Sequence, residues 1–185
     1  STVGAILRAA AFGKVSVMFP MIATLNELRD VKAMLGEEGA SLGVPPVAAG
    51  IMVEVPATAI MAAQFAHEAN FFSIGTNDLT QYTLAMDRGH PKLAPQVDGL
   101  SPAVLRLIAM AARAGRAAGR SVAVCGGLAS DPAAAPILIG LGVNELSAVP
   151  SVVPRLKAVI RALSLEACVT LANRALEADS VAEVR

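Results

Sequence analysis

Phe71-Phe72-Ser73-Ile74-Gly75-Thr76-Asn77-Asp78-Leu79-Thr80-Gln81-Tyr82 is the stretch that decides the fold. Phe71–Gly75 is apolar or small throughout and reads as a short buried strand. Residues 79–86 read as a helix, and Asp78 with Gln81 has capping-box spacing at its start. A buried strand running into a helix within three residues is one βα unit, and the pattern recurs on both sides. Residues 15–19, 49–55 and 145–149, with Ser121–Cys125, are further β-rich runs, each followed by a longer helical pattern. Helix starts are legible as Thr24 with Glu27, as Ser101-Pro102 before residues 103–118, and as Ser130-Asp131-Pro132 before residues 133–141. Gly119 and Gly142 stand where helices should stop, and residues 152–163 and 165–176 form two closing helices.

Short apolar strands alternating with helices define an α/β class with a parallel sheet. Five units would suit a flavodoxin-like open sheet, but no Gly-rich phosphate loop follows the first strand. The alternative is a (β/α)8 barrel of TIM type, which takes ~250 residues and eight units. On that reading the chain is an incomplete barrel, residues 1–185 being the C-terminal part of one domain, with three strands expected upstream.

Composition narrows the function classes. The 185 residues carry 15 Lys and Arg against 15 Asp and Glu, so no basic field exists for a phosphate backbone and nucleic-acid binding is not expected. Apolar residues make up 55% and charged residues 16%, a chain rich enough in apolar side chains to bury a core rather than stay disordered. Apolar runs are interrupted well before the ~20 residues of a membrane span, so no membrane insertion is expected. Two cysteines make no disulfide framework, and the expectation is a cytoplasmic, reducing compartment.

In parallel α/β folds the chemistry gathers at the C-terminal ends of the strands. Glu54 closes the second strand, Thr76-Asn77-Asp78 follows the third, and Cys125-Gly126-Gly127 closes the fourth. A buried ionised Glu54 costs on the order of several kcal/mol unless a cation or metal pairs with it. Asp78 serves equally as a helix cap, and Cys125 as inert core, although two following glycines allow close backbone approach to a ligand. Arg88 either pairs with Asp87 or reaches an anion. His67 and His90 lack spaced partners for zinc, and Cys168 reads as core. Glu54 and Asp78 together suit a hard divalent cation such as Mg²⁺, completed by water and a phosphorylated substrate.

Val17-Met18-Phe19-Pro20-Met21, Met52-Val53-Glu54-Val55-Pro56-Ala57, the opening stretch, and Val124-Cys125-Gly126-Gly127-Leu128 occur in order. Together they resemble the C-terminal phosphoenolpyruvate-binding domain of the phosphoenolpyruvate-utilising enzymes. Within that family the nearest likeness is to enzyme I of the bacterial sugar phosphotransferase system, including the enzyme I module of multiphosphoryl transfer proteins. The resemblance runs from about residue 5 to the C-terminus. It implies a dimerising barrel that holds phosphoenolpyruvate and Mg²⁺. Glu54 and Asp78 match the metal ligands, Asn77, Asp78 and Arg88 the substrate contacts, and Cys125 the proton donor that turns the enolate into pyruvate. The phosphoryl group would pass to a protein histidine and on to the histidine phosphocarrier protein.

Pyruvate phosphate dikinase and phosphoenolpyruvate synthase share the strand-end set, but Gln81-Tyr82-Thr83 and Asp87-Arg88-Gly89 favour enzyme I. Gly127 replaces the Glu that usually follows the Cys-Gly pair. The family's phosphorylatable histidine and further arginines are expected upstream of Ser1, so the isolated chain is expected not to complete phosphoryl transfer. A reading from another class is a non-catalytic dimerisation fragment.

Overall fold

β3 (Phe71–Gly75) is the middle of five parallel strands in the computed structural model, which describes residues 2–185. Its neighbours are β2 (Ala48–Val53) and β4 (Ser121–Cys125), with β1 (Ser16–Phe19) and β5 (Glu145–Leu146) at the edges. The order β1-β2-β3-β4-β5 follows the chain. A doubly wound sheet reverses its strand order at a switch point, so this order excludes the flavodoxin-like alternative and fits an arc of a (β/α)8 barrel.

Register gives the arc two different faces. Ile51, Phe72 and Val122 pair across the sheet, as do Val53, Ile74 and Val124, and all six are fully buried. They pack with Phe65, Leu105, Ile108, Ala112 and Leu138 from the helices. At about 1.5–3 kcal/mol for each large side chain removed from water, this face dominates the stability. The opposite, inner face carries Met52, Ser73, Ala123 and Glu145 as one paired row and Gly75 with Cys125 as the next. Apart from Phe71, whose ring packs over Gly50, it holds small, sulfur-bearing or polar side chains and is partly open, Met18 being 38% exposed.

Helices α1 (Thr2–Ala9) and α2 (Leu25–Leu42) flank β1 in the chain. The second opens with the expected capping box: Glu27 donates its N–H to Thr24 Oγ1 at 3.3 Å, and Thr24 N–H donates back to Glu27 Oε2 at 2.8 Å. The link from β2 to β3 is two short helices, α3 (Pro56–Ile60) and α4 (Ala62–Glu68), and His67 lies exposed on the latter. α5 is Thr76–Leu84 and α6 is Pro102–Ala117, with Pro102 filling the first-turn role read from sequence. α7 (Ala135–Gly140) starts later than expected, because Asp131 spends its carboxylate on a turn, accepting from Ala133 N–H at 2.9 Å. α8 (Val153–Arg161), α9 (Leu165–Glu177) and α10 (Val181–Val184) close the chain. Gly140 packs on the Cys168 carbonyl, and Cys168 is buried core, as expected.

Boundaries at the strand ends differ from expectation as well. β5 stops at Leu146 rather than residue 149. β2 stops at Val53, leaving Glu54 one residue beyond the strand. α5 begins at Thr76, so Asp78 lies inside its first turn and is not the cap; Gly75 occupies that position without a side-chain bond. The strand feeds directly into the helix, and a carboxylate in the first turn is favoured by the helix dipole.

Among the described residues no helix is long and apolar enough to cross a membrane.

Candidate functional site

The ends of β2, β3 and β4 meet on the inner face. Gly75 pairs with Cys125 across the sheet. A Cβ on Gly75 would stand 2.8 Å from Glu54 Oε2 and 2.9 Å from Met52 Sδ, so the missing side chain is the space that Glu54 occupies. Glu54 is 4% exposed. Its Oε1 accepts the Met21 N–H at 2.7 Å, and among the described residues no Lys or Arg pairs with it. Met21, whose N–H makes that bond, adopts a positive φ of 54°. The alternative of a Lys or Arg partner for Glu54 is therefore corrected: among the described residues a backbone N–H meets it and no countercharge does.

Cys125 is half-buried, and the Ser73 hydroxyl donates toward its Sγ at 3.7 Å. The following backbone is pinned to α5. Thr76 Oγ1 donates to the Cys125 carbonyl at 2.8 Å, and Gly127 N–H donates to Asn77 Oδ1 at 2.9 Å. Gly126 has φ 88°, and a Cβ there would stand 2.7 Å from Thr76 Oγ1, so this crossing requires glycine.

Asp78 Oδ1 lies 3.1 Å from Arg88 Nη2. The alternative pairing of Arg88 with Asp87 is corrected: the guanidinium lies on Asp78, while Asp87 Oδ1 accepts the Gly89 N–H at 2.7 Å. Arg88 N–H in turn donates to Gln81 Oε1 at 3.1 Å. Asn77 and Arg88 line a cavity of about 350 Å³ together with Gly127, Asp98, Asp131 and Arg185. Glu54, Asp78 and Cys125 are not in that lining, so the sequence-derived residues form two adjoining groups linked at Asn77-Asp78. His90 Nδ1 accepts the Lys92 N–H at 3.3 Å and is spent locally.

Among the described residues no three His, Cys, Asp or Glu side chains gather as a metal site. Glu54, a buried carboxylate with no cation beside it, fits as a ligand of a hard divalent ion that takes few protein ligands and keeps waters or substrate oxygens. The sequence assigned no individual role to Met21, Ser73, Thr76 or Arg185. Ser73 carried a signal, its period-two spacing from Gly75 on the same strand face. The backbone N–H of Met21 and the distant Arg185 carried none.

A sequential parallel arc with carboxylates and a thiol at its strand ends defines the class, a barrel-type α/β domain with its polar side chains gathered at one end of the sheet. The chain belongs to the family of PEP-utilising enzymes, PEP-binding domain, whose model matches residues 1–165. It is 51% identical over 181 residues to the multiphosphoryl transfer protein of Rhodobacter capsulatus, covering 98% of this chain and 22% of that protein. It is 42% identical over 186 residues to the phosphoenolpyruvate-protein phosphotransferase of Staphylococcus carnosus strain TM300, covering 97% of this chain and 32% of that protein. The chain thus spans between a fifth and a third of the length of these curated relatives. A citrate lyase from Burkholderia xenovorans LB400 superposes with a TM-score of 0.66 at 22% identity, covering 95% of this chain and 57% of the other. At that identity the likeness is one of fold.

Proposed function

We propose that this chain is the substrate end of a phosphoenolpyruvate-protein phosphotransferase, residues 1–185 forming the C-terminal part of its barrel domain. One observation carries the reading: Gly75 pairs with Cys125 while Glu54 Oε2 fills the space beside Gly75, so a carboxylate and a thiol share one sheet face at the ends of the two strands that flank β3. Family membership supports the substrate class.

In this reading Asn77, Asp78 and Arg88 bind and orient the anionic groups of phosphoenolpyruvate. Glu54 and Asp78 would hold Mg²⁺, which when bound neutralises charge on the substrate's carboxylate and phosphate. The phosphoryl group leaves the enol oxygen for a histidine nitrogen outside this chain. Cys125 then acts as general acid: its S–H proton goes to C3 of the enolate, giving pyruvate and a thiolate. In reverse the thiolate removes that proton. The histidine phosphocarrier protein is the onward acceptor, and a homodimer the expected assembly in the cytoplasm.

Complementation tests the reading. The chain is combined with an upstream portion of the S. carnosus relative and with histidine phosphocarrier protein, and label is followed from phosphoenolpyruvate. Transfer to the carrier is expected. Transfer that instead requires ATP or AMP would move the assignment to pyruvate phosphate dikinase or phosphoenolpyruvate synthase. A partly open inner face and two unpaired edge strands favour a second reading, a non-catalytic assembly fragment, for which no transfer and no ligand binding are expected.

A further inference from the structure

Arg185 lies beyond the residues that the family model matches, and no local pattern in the sequence marks it. Its Nη2 stands 2.8 Å from Asp98 Oδ2, with Nε at 3.1 Å from the same oxygen, and its Nη1 stands 3.6 Å from Asp131 Oδ2. Both carboxylates are already at work through their other oxygen. Asp98 Oδ1 accepts the Leu100 N–H at 2.9 Å, and Asp131 Oδ1 accepts the Ala133 N–H at 2.9 Å. Each aspartate therefore braces its own loop, and one guanidinium ties the two braces together across 87 and 54 residues of sequence. The first loop follows Arg88 through residues 94–96, and the second begins at Gly127, which Asn77 holds. Arg185 lines the same cavity as Arg88, Asn77 and Gly127.

We propose that Arg185 is a positioning residue for this site: it clips the 97–100 loop to the 127–133 loop and so fixes the wall of the cavity that Arg88 and Gly127 share. The clip shortens the excursions of two loops that binding would otherwise have to order. Its effect on affinity rests on the function proposed above, whereas its effect on the loops does not.

The chain is tested as Arg185→Ala, Arg185→Met and Arg185→Lys, by calorimetry with phosphoenolpyruvate and Mg²⁺ and by amide hydrogen exchange. Ala and Met should each weaken binding roughly three- to fivefold, the scale of an exposed ion pair, while Lys, keeping a charge without the fork, recovers part of the loss. The Leu100 and Ala133 amides should exchange faster in the Ala and Met variants, with β2 to β4 unchanged. Wild-type affinity in Arg185→Ala, or in Arg185→Met, which keeps the stem but not the charge, overturns the proposal. If wild type binds no phosphoenolpyruvate, the proposed function fails and exchange alone decides: faster exchange at Leu100 and Ala133 upholds the clip, and unchanged exchange overturns it.

Discussion

Arg88 Nη2 and Asp78 Oδ1 are 3.1 Å apart, so the arginine proposed for substrate and the carboxylate proposed for metal neutralise each other in the absence of ligand. Their side chains are 45% and 28% exposed, which keeps the pair weak in water and cheap to open when an anion and a cation arrive. The arrangement keeps Asp78 and Arg88 close without a buried unpaired charge.

Arg88→Ala should therefore leave stability almost unchanged, by less than about 1 kcal/mol, while weakening phosphoenolpyruvate binding at least about tenfold. Thermal melting and calorimetry on the same preparation check the two halves. A large loss of stability with intact binding would reverse the roles assigned.

Gly75→Ala tests the packing beside Glu54. Its φ of −84° suits any residue, so strain does not enter. The added methyl would stand 2.8 Å from Glu54 Oε2, and overpacking of this kind costs about 1–3 kcal/mol. Chemical denaturation should show that loss, and Mg²⁺-dependent binding should fall because Glu54 must move.

Cys125→Ala separates binding from chemistry. Affinity for phosphoenolpyruvate should stay within about twofold, while enolate protonation in the complemented enzyme falls by about 10² or more. Deuterium uptake at C3 of pyruvate measures the proton step. Normal uptake in the variant would remove Cys125 from the mechanism.

At the start of α2 the backbone N–H groups of Ala23 and Thr24 donate to Glu27 and hold its carboxyl below the ordinary value. A depressed folded value contributes stability that is present above the unfolded value and lost as pH falls through the folded one. Melting temperature should thus drop on acidification below about pH 4 more steeply in wild type than in Glu27→Gln. Thr24→Ala, which removes the other half of the box, should cost about 1 kcal/mol at neutral pH.

The parallel strands and most helix starts were legible because local chemistry sets them: Ile51, Phe72 and Val122 announce burial, and Thr24 with Glu27 announces a cap. The α5 boundary was not, since Asp78 with Gln81 mimics a cap although the helix is entered directly from Gly75. Among the site residues, Glu54 at the end of an apolar strand was visible as an anomaly in need of a partner. That partner proved to be the Met21 N–H, a backbone group with no signature in the side-chain pattern. The pairing of Arg88 with Asp78 rather than Asp87 depends on how the 85–93 loop folds back, and Arg185 depends on a contact 87 residues distant. Long-range polar contacts of this sort leave no period in the sequence.

Calorimetric titration of phosphoenolpyruvate into the chain, with and without Mg²⁺, tests most directly whether Glu54, Asp78 and their neighbours form a ligand site. Saturable binding that requires Mg²⁺ and vanishes in Glu54→Gln is the predicted result. Absence of Mg²⁺-dependent binding in wild type, or binding that survives intact in Glu54→Gln, would contradict it.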